Sequence, residues 1–345
     1  MTASFPIARL VVRLVALAFG LALSTAIFAA PPGTYTVTNL VADPLGPPAL
    51  NTDGNLVNGW GIASRPTSPF WVSDNGTSKA TIYDGLGNII PLVVSIPGPP
   101  TGIVANPSSG DFGGASFLWA LEDGHVAAWS SGTTATTVFT ATDSASYKGL
   151  AIAGNGTALQ LYLADFHNGK IDVLSSTFGT GTATGGFADP TIPTGFHPFN
   201  IMNLNGNLFV AYALKETDGD DEVAGRGLGF VNVFNPDGVL LARVASSGKL
   251  NAPWGMALAP AGFGTFSNHL LVGNFGDGTI NAYNLSPYHF AGQLRNSSGG
   301  VLKVDGLWGI AFGNGVRNQP TNTLFFAAGP DDEAHGLYGK IEPAP

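Results

Sequence analysis

Three kinds of side chain in this sequence could do chemistry. The first are acids and amides that close short apolar runs: Asp74 in FWVSD, Asp165 in LYLAD and Asn274 in LLVGN. Carboxylates and amides converging on one point make the oxygen-rich setting that hard cations require, so these three are the candidate metal ligands, and Ca²⁺ or another divalent ion is the cofactor they would hold. The same residue types after a strand also bond the backbone of the next turn, and that structural role stands beside the ligand role. The second kind is histidine. His167 in ADFHNG and His197 in GFHPFN are the candidate catalytic residues, because a neutral imidazole can bind a metal or act as general base near neutral pH. No tight His-x-x-x-His spacing accompanies them, so a structural role is also open. The third kind is tryptophan before glycine, at Trp60, Trp254 and Trp308. A large ring at such a junction is expected to pack between neighbouring units or to line a channel mouth.

Several short matches lead nowhere. Asp218 to Glu222 opens like an EF-hand loop, but Val223 stands where the turn glycine is needed and Gly229 where the bidentate Glu belongs. Ser246 to Lys249 matches Ser-x-x-Lys and Ser73 to Asn75 matches a β-lactamase fragment, without the helical context or the Lys-Thr-Gly companion. Walker A and Gly-x-Ser-x-Gly are absent, which leaves phosphate cradling and a hydrolase elbow unsupported.

The elements that must position these residues repeat. Gly61-Ile62-Ala63, Gly102-Ile103-Val104, Gly149-Leu150-Ala151, Asn200-Ile201-Met202, Gly255-Met256-Ala257 and Gly309-Ile310-Ala311 open six similar units, 41 to 55 residues apart. That spacing fits a four-stranded propeller blade with its loops. Each opening is followed by an aromatic or aliphatic strand, a turn, and a strand with period-two alternation, as in Thr279-Ile280-Asn281-Ala282-Tyr283. The sixth unit stops one strand short, whereas YTVTNLV at Tyr35 to Val41 precedes the first unit with no blade of its own. Lending it to the last blade closes the ring and removes an open edge, so the expected fold is an all-β, six-bladed β-propeller over residues 31–345. Phe178 to Thr194 is expected to be a loose outer crossing, and Lys215 to Gly229 a long loop of the kind that often carries function.

In a propeller the start of the first strand and the end of the second share one face. Here that face gathers Asn58, Trp60, Asn75, Glu122, Asp123, Asn200, Asp221, Glu222, Asp277 and Asp332 as the candidate ligand-binding set; Lys148 and Glu333 lie on the same face without an assigned role.

Composition bounds the partners. The chain has 345 residues, 44% of them apolar and only 11% charged, with 48 glycines and 24 prolines, a profile of many short strands interrupted by turns. Arg9 and Arg13 precede an apolar run within residues 1–30, which are expected to be a signal peptide or an uncleaved anchor and to send the protein to the periplasm or outside the cell. Without that segment, 12 basic residues face 23 acidic ones, a net charge of −11. Nucleic acid is therefore excluded as a partner, and a membrane is one only if the segment stays attached. A small molecule, a glycan or an extracellular protein fits better. With no cysteine, disulfides and thiol chemistry are excluded.

The motifs NLVNGWGIA, FWVSDNGT, LYLADFHNGKIDV, NAPWGMALAP, LLVGNFGDGTINAY and DGLWGIAFGNG resemble an uncharacterised family of exported bacterial NHL-like six-bladed propellers. Many members of that family carry a sorting tail of the PEP-CTERM kind, and it brings no established activity. More distant similarity to gluconolactonase and paraoxonase propellers would imply a Ca²⁺ ion and lactone or ester hydrolysis. Similarity to streptogramin lyase would imply a metal-assisted elimination with a catalytic His. The sequence thus points to a ligand- or partner-binding propeller using one acidic face, with a divalent-metal-dependent hydrolase or lyase on the same face as the alternative.

Overall fold

Residues 1–3 and 33–344 are described by the structure, a computed structural model. The expected signal or anchor segment falls outside them apart from its first three residues.

Six antiparallel sheets stand around an axis, and their innermost strands are Gly59–Ala63, Pro100–Ala105, Tyr147–Gly154, Phe196–Leu204, Pro253–Leu258 and Leu307–Phe312. These are the six openings read from the sequence. Among the described residues helix is limited to three short 3₁₀ turns, and no helix is long and apolar enough to cross a membrane. The strand Tyr35–Ala42 pairs antiparallel with Leu337–Pro343 and completes the sixth blade, as the unequal ends of the chain implied. Asn51–Thr52 adds a short fifth strand beside it, the one parallel pairing between strands among the described residues. Blade three has only three strands. The crossing after it is pinned rather than loose: Phe187 is buried in the layer between blades three and four, and Asp189 accepts hydrogen bonds from Asn232 and Arg243.

Apolar side chains fill the space between each pair of neighbouring blades. Trp71, Ile82 and Trp119 pack between blades one and two, and Val72, Tyr83, Phe325 and Tyr338 close the ring between one and six. Twisted sheets can approach this closely near the axis only if their innermost strands carry no side chain at the contact. The repeated glycine has that role. A Cβ on Gly61 would lie 2.7 Å from the Thr101 carbonyl oxygen, on Gly255 2.4 Å from that of Trp308, and on Gly309 2.6 Å from that of Trp60. Blade four substitutes Asn200, whose Nδ2 donates to the Trp254 carbonyl at 2.9 Å and so bridges a gap that is closed elsewhere by backbone contact.

Candidate functional site on the axis

A feature not anticipated from the sequence recurs in all six blades. The pairing of first and second strands slips by one residue just before the repeated Gly or Asn. Such a bulge re-aims the side chain it carries. The residues at this position are Trp60, Thr101, Lys148, Phe199, Trp254 and Trp308, one per blade. Trp60 stacks on Trp308 with centroids 3.5 Å apart, and Trp254 meets both edge-on at 6.0 and 5.6 Å. Phe199, Phe166 and Phe275 complete the layer. The tryptophans therefore do not wedge neighbouring blades; they meet across the axis, because the bulge turns them inward.

Among the described residues Lys148 is the one cation in this layer. Its side chain is 3% exposed, which is affordable only because Glu122 Oε1 lies 2.5 Å from Nζ. Asp221 Oδ1 is 3.7 Å away and the Trp60 ring centroid 5.3 Å. Asn75 Nδ2 donates to the other Glu122 oxygen at 2.8 Å, and Asn58 lies behind Asn75 at 3.4 Å. Trp308 Nε1 donates to Glu333 at 3.2 Å. Aromatic rings from blades one and three to six thus form one layer, and polar groups gather around Lys148.

Burial opposes the charge on Lys148, but the carboxylates of Glu122, Glu222 and Asp221 outweigh it and hold the ammonium above its ordinary range. Burial also acts on the acids. It pushes Glu222 up to about 7, against the pull of Lys148, and it raises Glu333, with Glu122 adding repulsion. Near neutral pH this cluster therefore holds protons that exposed carboxyls would have lost.

Of the predicted ligand face, Asn58, Trp60, Asn75, Glu122, Asp221 and Glu222 come together here. Asp332 is exposed on a neighbouring loop. Asp123 pairs with His125 at 2.9 Å, and Asp277 accepts from Thr279 within its own turn. Asn200 departs from expectation: it is buried inside the ring and spends its amide on backbone. Lys148 and Glu333 carried no role in the sequence reading; a lone Lys in the column occupied by Trp, Phe and Thr is the signal that marks the first.

The metal candidates take a different arrangement. Asp74, Asp165 and Asn274 are equivalent residues of blades one, three and five, and each bonds within its own blade. Asp74 accepts from Thr81, Asp165 from Ser146 and Asn168, and Asn274 links Asn251, Lys249 and Thr279. Burial raises both acids, Asp74 strongly, so the position favours an uncharged side chain and Asn274 is its neutral equivalent. Asp165 does lie near Asp143 and Asp172, with oxygens within 4.8 Å of one another, but Lys170 Nζ sits among them at 2.7 to 3.8 Å. His167 faces solvent and pairs with Asp220 at 2.8 Å. His197 donates from Nδ1 to the Phe166 carbonyl at 2.6 Å and its ring lies against Gly169.

Below the axial layer the ring encloses a cavity of about 560 Å³. It runs along the innermost strands from Trp254 and Asn200 to Ser64, Pro107 and Asn205 at the opposite face.

The architecture is that of a six-bladed β-propeller. No protein-family model matches the chain. Two uncharacterised proteins of Acanthamoeba polyphaga mimivirus are similar to it, one 33% identical over 85% of this chain and 76% of its own length, the other 32% identical over 85% and 82%. The chain belongs to the family of these two proteins. The finer placement among exported bacterial NHL-like proteins gains no support from them. Among solved structures, a glucose dehydrogenase superposes with a TM-score of 0.55 at 13% identity, covering 88% of this chain and 99% of its own. A streptogramin B lyase does so with 0.51 at 13%, covering 89% and 97%. At such identities the likeness shows the fold alone.

Proposed function

We propose that this is an exported, non-catalytic binding propeller that recognises a cationic group, on a small ligand or a protein partner, through the face around Lys148. The observation that carries this reading is the charge balance at that face. Lys148 is already neutralised by Glu122, which leaves Asp221, Glu222 and Glu333 as surplus acid beside an aromatic floor. Burial holds Glu222 partly protonated near pH 7 and raises Glu333 as well, and an incoming cation stabilises the ionised form of both. Binding should therefore release protons at pH 7 and strengthen as pH rises through about 7.

The test is calorimetric titration with spermidine, and separately with Ca²⁺, at pH 7 in two buffers of different ionisation heat. Saturable spermidine binding with proton release, weakened in Glu333→Gln, is the expected result. Failure of spermidine to bind below about 1 mM would overturn the reading. Saturable Ca²⁺ binding together with turnover of an ester or lactone would establish the metal-dependent hydrolase instead. That alternative has less to stand on, since Asp74, Asp165 and Asn274 are each engaged in their own blades.

A further inference from the structure

The cavity below the axial layer has a chemistry opposite to that of the face above it, and we propose that it is a second binding site, for one uncharged, largely apolar small molecule entering from the far face. Ile62, Ile103, Leu150, Ile152, Met202 and Ile310 are part of its wall. Among the described residues no Asp, Glu, Lys, Arg or His lines it, so a charged ligand would lose its hydration and find no partner. Ser64 and Asn205 stand at its mouth, and the amides of Asn200 and Asn203 are engaged with backbone. Asn200 bonds the Trp254 carbonyl and the Ile201 N–H, and Asn203 bonds the Ile152 carbonyl and the Gly206 N–H. What remains is apolar contact and bare glycine backbone at Gly61, Gly102 and Gly309, a surface that suits a flat ring system. A volume of about 560 Å³ lies within the range of small-molecule pockets and is far too small for a folded partner. Trp254 floors the site, while Ser64, Pro107 and Asn205 form its mouth.

The ring geometry explains why this space exists. Glycine brings neighbouring strands into contact at the axial layer, and the cavity follows the innermost strands from there to the opposite face. The bulge then turns the tryptophans into the layer and leaves uncharged, mainly aliphatic side chains below, with Phe70 and Phe312 beside them.

A matched pair of fluorescent probes tests this on the full chain. N-phenylnaphthylamine is uncharged, and anilinonaphthalene sulfonate is the same skeleton with a sulfonate. The expected result is saturable binding of the neutral probe at one per chain, with at least tenfold weaker binding of the sulfonate. Met202→Trp fills the cavity from the half-buried wall of blade four and should weaken the neutral probe at least tenfold; Val104→Trp does the same from blade two if the first variant does not fold. Glu222→Gln should leave the affinity unchanged, which separates this site from the acidic face. Equal binding of both probes, undiminished binding to a folded cavity-filled variant, or loss on Glu222→Gln would each overturn the proposal.

Discussion

Replacing Glu222 by Gln removes one titrating group from the polar cluster while keeping its shape, and its effect on stability should depend on pH. Glu222 stands at about 7 in the folded protein against an ordinary value of 4.5, with burial as the main cause. A carboxyl raised on folding adds stability that is fully present below about 4.5 and is lost as pH rises through about 7. At about 1.4 kcal/mol for each tenfold change in proton affinity, that interval corresponds to roughly 3 kcal/mol. Water reaches this half-buried side chain on an exposed loop, so about 1 kcal/mol is the share expected to survive screening. Thermal or urea unfolding of both proteins from pH 4.5 to 8 measures it. The difference between them cancels the other titrating groups and should change by about 1 kcal/mol in favour of the variant as pH rises. A difference that stays flat across this range, or a variant less stable than the native protein at pH 8, would refute the assignment of a buried, proton-holding carboxyl here.

Two further predictions test the scaffold. Gly309→Ala places a Cβ 2.6 Å from the Trp60 carbonyl oxygen and 3.1 Å from the Ile62 nitrogen, both backbone atoms that cannot swing away; the cost should be about 3 kcal/mol or more, seen as a lowered melting temperature or loss of soluble protein. Asn274→Ala strips partners from the Asn251 N–H and the Lys249 carbonyl and should lower stability by about 2 kcal/mol in a urea melt, while spermidine and Ca²⁺ titrations remain as in the native protein, since Asn274 acts as a turn clamp.

Much of the ring was legible in the chain. The glycine, or in blade four the asparagine, that opens each unit, the aromatic or aliphatic second strands and the orphan segment at Tyr35 gave the number of blades and the way the ring closes. These features are visible because they follow from local chemistry, strand alternation and turn residues, repeated six times. The candidate face was legible in part. Knowing which end of a strand a residue occupies was enough to group Asn58, Asn75, Glu122, Asp221 and Glu222, because strand direction alone selects the face.

Which of those residues touch was a matter for tertiary structure. A one-residue slip in pairing leaves no mark in composition or period, yet it turns Trp60, Trp254 and Trp308 inward, and sets Lys148 beside Glu122. Asn200 shows the same limit, since its place in the repeat assigns it to the face whereas contact with blade five draws it inside. The raised carboxyls, the neutral turn position shared by Asp74 and Asn274, and the cavity all depend on how far six blades approach one axis. The sequence by itself determined the repeat, its count and its closure, because these are written in neighbours along the chain. Contacts between residues of different blades, often 50 or more positions apart, decided the chemistry of the axis, because burial and charge pairing are properties of the assembled ring.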